Sequence, residues 1–153
     1  MYLNSNKGYQ YIRDGRAPIP KKEITSRIMS AIKAKNTKPE LILRKALREA
    51  GLRGYRLHCK KVLGRPDICY LNKKIAIFVN GCYWHRCPYC NPSKPKTHIR
   101  FWSNKFRNNI ERDKRKHKEL KSLGWKVLTF WECQINKRVF KLVDKLMIEY
   151  NSR

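Results

Sequence analysis

Acidic residues are scarce in this sequence: 11 Asp and Glu stand against 37 Lys and Arg in 153 residues, a formal net charge of +26. An excess of that size repels itself in a free protein and works against any cationic partner, so it points to a polyanion, with nucleic acid first among candidates. Long apolar runs are also missing. No segment approaches the roughly 18 consecutive apolar residues of a spanning helix, which excludes a membrane span. The opening segment MYLNSNKGYQYIRDGRAPIPKK has no apolar core of the secretory type. The expectation is a protein of the reducing cytoplasm, whose six cysteines are thiols or metal ligands rather than disulfides. The length suits one domain with a real core and is too short for two.

Residues 1–24 are polar, basic and interrupted by Pro18 and Pro20, which reads as a flexible arm ahead of a single domain over 25–153. Ile28, Met29, Ala31 and Ile32 mark a short amphipathic helix. TKPE opens a second, with Thr37 as N-cap, Glu40 at the capping-box position, and Leu41, Leu43, Leu47 and Ala50 as its buried stripe up to Gly51. After GYRLH, the runs PDICYL and KKIAIFV form a hairpin through Asn72-Lys73. A long basic helix then carries Phe101, Trp102, Phe106, Ile110, Leu120 and Leu123, and Gly124 ends it. WKVLTFWE is a further strand, and Phe140, Leu142, Val143, Leu146 and Met147 give a closing helix. The order ααβββαβα makes the fold class α/β, a layered sheet-and-helix domain.

Within NGCYWHRCPYC, Cys87 and Cys90 form a C-x-x-C pair with Cys82 five residues before it, and Cys133 closes the last strand. Four thiolates suit a closed tetrahedral zinc site. Cys133 reads equally well as a core thiol on spacing alone, and Cys59 and Cys69 read as ordinary buried cysteines. If the four cysteines fill the tetrahedron, His85 is free for proton chemistry; if it replaces one of them, it is a ligand, and spacing leaves the two readings level. Among the acids, Asp67 follows Gly64-Arg65-Pro66 at a strand start, where a carboxylate can hold a divalent ion against a phosphate. Taken singly, Glu40 reads as the partner of Thr37, and Asp113 as a helix-surface ion-pair member with Arg112 or His117. The basic run RDKRKHK reads as phosphate-contacting in a protein of this charge.

The series SRIMSAIKAKNTKPELILRKAL, GRPDI, IFVNGCYWH and KTHIRFWSNKFRNNIERDKRKHKELKSLGWKVLTFWEC, over residues 25 to 135, resembles the very short patch repair endonucleases. The resemblance implies a restriction-endonuclease-like three-layer fold: a small central mixed sheet, flanking helices and a structural zinc site. It implies a magnesium-dependent, monomeric enzyme that nicks duplex DNA 5′ to the thymine of a T:G mismatch left by 5-methylcytosine deamination, with mismatch-repair proteins as candidate partners. Residue by residue, it implies Asp67 and the backbone carbonyl of Val79 as magnesium ligands, Glu40 beside them, and His85 and Asp113 as the catalytic pair. It further implies Cys82, Cys87, Cys90 and Cys133 as the zinc ligands, Tyr83, Trp84 and Trp102 as rings wedged into the base stack, and Met29, Ile32, Lys105 and Asn109 as further DNA contacts. Asn80 stands where the family often has histidine and cannot titrate near neutral pH. Two other readings fit part of the pattern: a homing or nicking enzyme of the same fold from a phage or mobile element, and a non-catalytic zinc-containing DNA-binding module.

Overall fold

The computed structural model describes residues 35–152. The proposed arm and the helix carrying Met29 and Ile32 lie outside these residues. Helix α1 spans Lys38–Glu49 and opens as its sequence demands: Thr37 is extended, Pro39 sits in the first turn, and the capping box joins Thr37 to Glu40. Leu43 and Leu47, one turn apart, are fully buried with Ala46, whereas Leu41 is 52% exposed. The expected stripe is therefore too wide. Leu41 is two residues, about 200° of rotation, from Leu43 and faces away. Gly51, at φ +74°, ends the helix in the left-handed conformation that glycine adopts without strain.

The sheet has four strands in chain order: β1 Arg56–Leu57, β2 Ile68–Tyr70, β3 Ile75–Asn80 and β4 Lys126–Trp131. The β2–β3 hairpin is antiparallel with Tyr70 opposite Ile75, and its loop closes through an amide–carbonyl bond of 3.1 Å from Lys74 to Leu71. β4 pairs parallel with β3 from Ile75–Lys126 to Asn80–Trp131, as a crossover through an intervening helix requires. That helix, α2, spans Ile99–Ser122. The closing helix α3, Glu132–Asn151, begins earlier than its hydrophobic pattern suggests and is kinked at Arg138, whose φ and ψ are −154° and 45°. Cys133 consequently belongs to the first turn of α3 rather than to the end of the strand.

Strand alternation sorts the side chains between two layers. Ile68, Tyr70, Ile75, Ile77, Leu128 and Phe130 pack with Leu43 and Leu47 of α1 and with Ile135, Val143 and Leu146 of α3. Each such side chain contributes roughly 1.5–3 kcal/mol on burial. Phe140, expected in that stripe, is 63% exposed. On the opposite face Cys69 and Ala76 meet Leu120 of α2 and Val62. The result is a helix–sheet–helix sandwich around a mixed sheet, the architecture expected. No helix among the described residues is long and apolar enough to cross a membrane.

Candidate active site and thiol cluster

The C-terminal end of β3 opens into a cleft of about 760 Å³. Asp67, His85 and Asp113 all line it, with Glu40, Val79, Asn80, Trp84, His117 and Glu132, and with Lys38, Arg112 and Lys116. Asp67 sits one residue before β2, so its carboxylate reaches past the end of the hairpin ladder, where Oδ2 accepts the Val79 amide at 2.8 Å. Burial drives the Asp67 carboxyl above the ordinary carboxylate value; the Val79 bond opposes this and the charge of Glu40 adds to it. A half-buried acid disfavoured as an anion, next to a second acid, is suited to a positive ion.

Glu40 is 3% exposed. Its Oε1 takes the Thr37 hydroxyl at 2.8 Å and the Thr37 amide at 3.3 Å, and its Oε2 takes the Asn36 amide at 3.1 Å and Arg44 at 2.7 Å. The capping role read from sequence is thus real, and the same carboxylate also stands within the acid cluster of Glu40, His58 and Asp67, whose candidate ligand atoms lie within 4.8 Å of one another. His58 belongs to no motif in the sequence; its one signal there is its place directly after the strand residues Arg56 and Leu57, which pair beside GRPD.

His85 Nδ1 lies 2.5 Å from Asp113 Oδ2. Arg112 touches the other oxygen at 3.4 Å, the weaker ion pair expected along the helix. Burial alone would raise Asp113, but the hydrogen bond and charge of His85, with Arg112, hold its carboxyl below the usual range. His117, one turn further along α2, packs its ring 4.7 Å from Phe78, and burial lowers its pKa.

The cysteine-rich loop folds back over β3. Sulfur atoms of Cys82, Cys87, Cys90 and Cys133 lie within 4.8 Å of one another, and Cys87 and Cys133 are 3.7 Å apart. Metal–sulfur bonds of about 2.3 Å in a tetrahedron give an edge of about 3.8 Å. The Tyr89 amide points to Cys87 sulfur at 3.4 Å and the Cys133 amide to Cys82 sulfur at 3.3 Å, donors that suit thiolates. The donor set fits zinc. His85 stands outside this set, tied instead to Asp113. Glu132, not singled out in the sequence, accepts the Cys82 amide at 3.2 Å and so joins the α3 terminus to the loop.

Beside the cleft, aromatic rings form a continuous cluster. Trp84 lies 6.2 Å from Trp102, Trp102 stacks on Phe106 at 6.0 Å, and Tyr83 meets Phe106 edge-on at 5.4 Å. Lys105 Nζ is 5.3 Å from the Trp102 ring and 5.7 Å from that of Trp84. Asn109 spends its amide on the Trp84 carbonyl at 3.2 Å, fastening the loop to α2. Met29 and Ile32 lie outside the described residues.

The family profile described as DNA mismatch endonuclease Vsr matches residues 18–91. The type II nicking enzyme V.NaeI of Lentzea aerocolonigenes is 39% identical over 138 residues, covering 86% of this chain and 82% of the relative. DNA mismatch endonuclease Vsr of Escherichia coli K12 is 37% identical over 134 residues, covering 87% and 84%. Among solved structures, the catalytic domain of homing endonuclease I-Bth0305I superposes with a TM-score of 0.52 at 29% identity, covering 76% of this chain and 97% of that one.

Proposed function

The chain belongs to the DNA mismatch endonuclease Vsr family, and from that premise we propose that this DNA-nicking endonuclease cuts one strand 5′ to the thymine of T:G mismatches left by 5-methylcytosine deamination, using magnesium at Asp67. The observation that carries the reading is the convergence of the Asp67 carboxylate and the His85–Asp113 pair on one cleft edged by Lys38, Arg112 and Lys116. A non-catalytic zinc module has no use for that convergence.

Asp67 and the Val79 carbonyl would hold magnesium, which when bound neutralises charge developing on the phosphate. In an extended strand the amide and carbonyl of one residue face the same edge. The Val79 amide is on Asp67, so its carbonyl belongs to that edge too. Asp113 engages Nδ1 of His85, which leaves Nε2 to accept a proton from the attacking water, and the carboxylate then stabilises the imidazolium that forms. Glu40 adds negative potential beside Asp67 while anchoring Arg44. Asn80, 9% exposed at the cleft wall, offers an amide rather than a titrating ring. Tyr83, Trp84 and Trp102 serve as the wedge, because a wobble pair costs less to unstack than a matched one, and Lys105 brings its charge to the phosphates. Zinc on Cys82, Cys87, Cys90 and Cys133 keeps the loop bearing His85 in place.

The test uses a T:G duplex, a matched duplex and magnesium. Asp67→Asn is expected to fold, retain zinc and bind the T:G duplex without nicking it. His85→Ala is expected to lose roughly 10²–10⁴-fold in cleavage with zinc content unchanged. Loss of zinc in His85→Ala would make the histidine a ligand and overturn its role here. Likeness to a homing endonuclease domain supports a second reading, in which the target is a matched site; equal nicking of matched and T:G duplexes would select it.

A further inference from the structure

His58 adopts a left-handed backbone, φ +46°, a conformation uncommon outside glycine, though His, Asn and Asp enter it more readily than other side chains. Its amide donates to the Asp67 carbonyl at 3.0 Å, so the backbone turn is fastened to the residue whose carboxylate the ring also faces. Nδ1 lies 3.8 Å from Asp67 Oδ1, and Nε2 lies 3.1 Å from an Arg44 nitrogen and 3.5 Å from Glu40 Oε2.

Arginine has donors and no acceptor. Its approach to Nε2 therefore requires the lone pair there and puts the ring proton on Nδ1, the nitrogen facing Asp67. Arg44 is itself fixed, with one nitrogen on Asn36 Oδ1 at 2.7 Å and another on Glu40 Oε2 at 2.7 Å. Of the three groups gathered here, Glu40 has both oxygens engaged twice over, and His58 has one nitrogen protonated and the other taken. Among the described residues, Asp67 alone keeps an oxygen, Oδ1, without a hydrogen bond, since Val79 holds Oδ2.

We propose that His58 is a positioning residue for Asp67: Arg44 fixes its tautomer, and its Nδ1–H orients Oδ1 toward a divalent ion without itself becoming a ligand. At 3.8 Å the N–H acts on the carboxylate through space, and a small rotation of either group closes a hydrogen bond. The arrangement is of the kind in which a residue outside the ligand set sets the orientation and affinity of a ligand. It rests on the reading of Asp67 as the divalent-ion ligand.

The test titrates Mn²⁺ against the full, zinc-loaded chain and records the electron spin echo of the bound ion, with T:G duplex binding and zinc content as checks of folding. His58→Asn suits the left-handed backbone and keeps a side-chain N–H near the Nδ1 position. His58→Gln extends its amide to the Nε2 position and leaves Asp67 unattended. His58→Gln is expected to weaken Mn²⁺ by roughly 10–100-fold, His58→Asn to stay within a few-fold of the parent, and the parent echo to show no imidazole ¹⁴N coupling. Equal affinity of both variants and the parent, equal losses in both variants, or a ¹⁴N coupling that vanishes in either variant overturns the proposal. Asp67→Asn separates the two levels. If it binds Mn²⁺ as tightly as the parent, the reading of Asp67 fails and this proposal with it; if it abolishes binding while His58→Gln does not weaken it, only the role of His58 fails.

Discussion

Asp113 acquires its character from one neighbour. On an exposed face of a basic helix it would pair weakly with Arg112, since solvent screens such pairs to well under about 1 kcal/mol. Its contact with His85, with both side chains less than a quarter exposed, is instead a charge-assisted bond of the class worth roughly 1.5–3 kcal/mol. Burial opposes the anion, yet the carboxyl lies below its ordinary value. A depressed folded-state value means that the stabilisation is present above the unfolded carboxylate value, about 3.9, and is lost as pH falls toward the folded one. Asp113→Asn is thus expected to melt lower than the parent at neutral pH, by an amount that shrinks once pH drops below about 4. Thermal melts of the two proteins across that range check it; a gap independent of pH would show that the asparagine disturbs packing rather than removing a charge.

Among the elements, α2 has the most varied duties. Its buried residues, Phe106 and Leu120, are few; beside them it presents Lys105, Asn109 and Asp113 to the loop above. That loop has no regular structure of its own, being a run of turns between β3 and α2, and besides its bonds to Asn109, Asp113 and Glu132 it is held by the thiol cluster that gathers Cys82, Cys87 and Cys90 with Cys133 in the first turn of α3. Metal-binding energy in such a segment is folding energy. Cys90→Ala is expected to release zinc, measured by metal analysis of the purified protein. A loss of even about 3 kcal/mol lowers the melting temperature by roughly 6–12 °C in a domain of this size. Retention of full zinc content would remove Cys90 from the ligand set.

At the scale of the whole molecule, +26 on 153 residues dominates association with DNA. Every phosphate neutralised by Lys or Arg releases a bound cation, so affinity for duplex is expected to fall by roughly 10³-fold or more between 50 and 200 mM salt if six or more phosphates are met. Titrations at several salt concentrations measure it, and a flat response would mean that the charge serves something other than DNA. The mismatch preference proposed above would rest instead on the aromatic cluster, and is expected to depend far less on salt because stacking moves no counterions.

Much of this protein is legible without coordinates, because the signals are local. The capping box of Thr37 and Glu40, the hairpin of two apolar runs, the glycine stops at Gly51 and Gly124, and the cysteine spacing each arise from residues within a few positions of one another. The pairings that make chemistry span greater distances: His85 with Asp113 across 28 positions, Cys82 with Glu132 across 50, and Asp67 with Val79 across 12. No periodicity encodes those distances. The first two exist because a parallel crossover brings β4 beside β3 and lays α2 over the cysteine loop, and the third because the antiparallel hairpin sets Asp67 against the end of β3. The same closure decided what local pattern misjudged. Leu41 and Phe140 are apolar and in helices, yet exposed, because the faces that count are those turned to the sheet. His58, silent in the sequence, stands beside Asp67 because β1 pairs at the edge of the hairpin. Residue types and short spacings thus set the elements and the kinds of chemistry available, while only the packing of the sheet between its helices decided which acid meets which histidine.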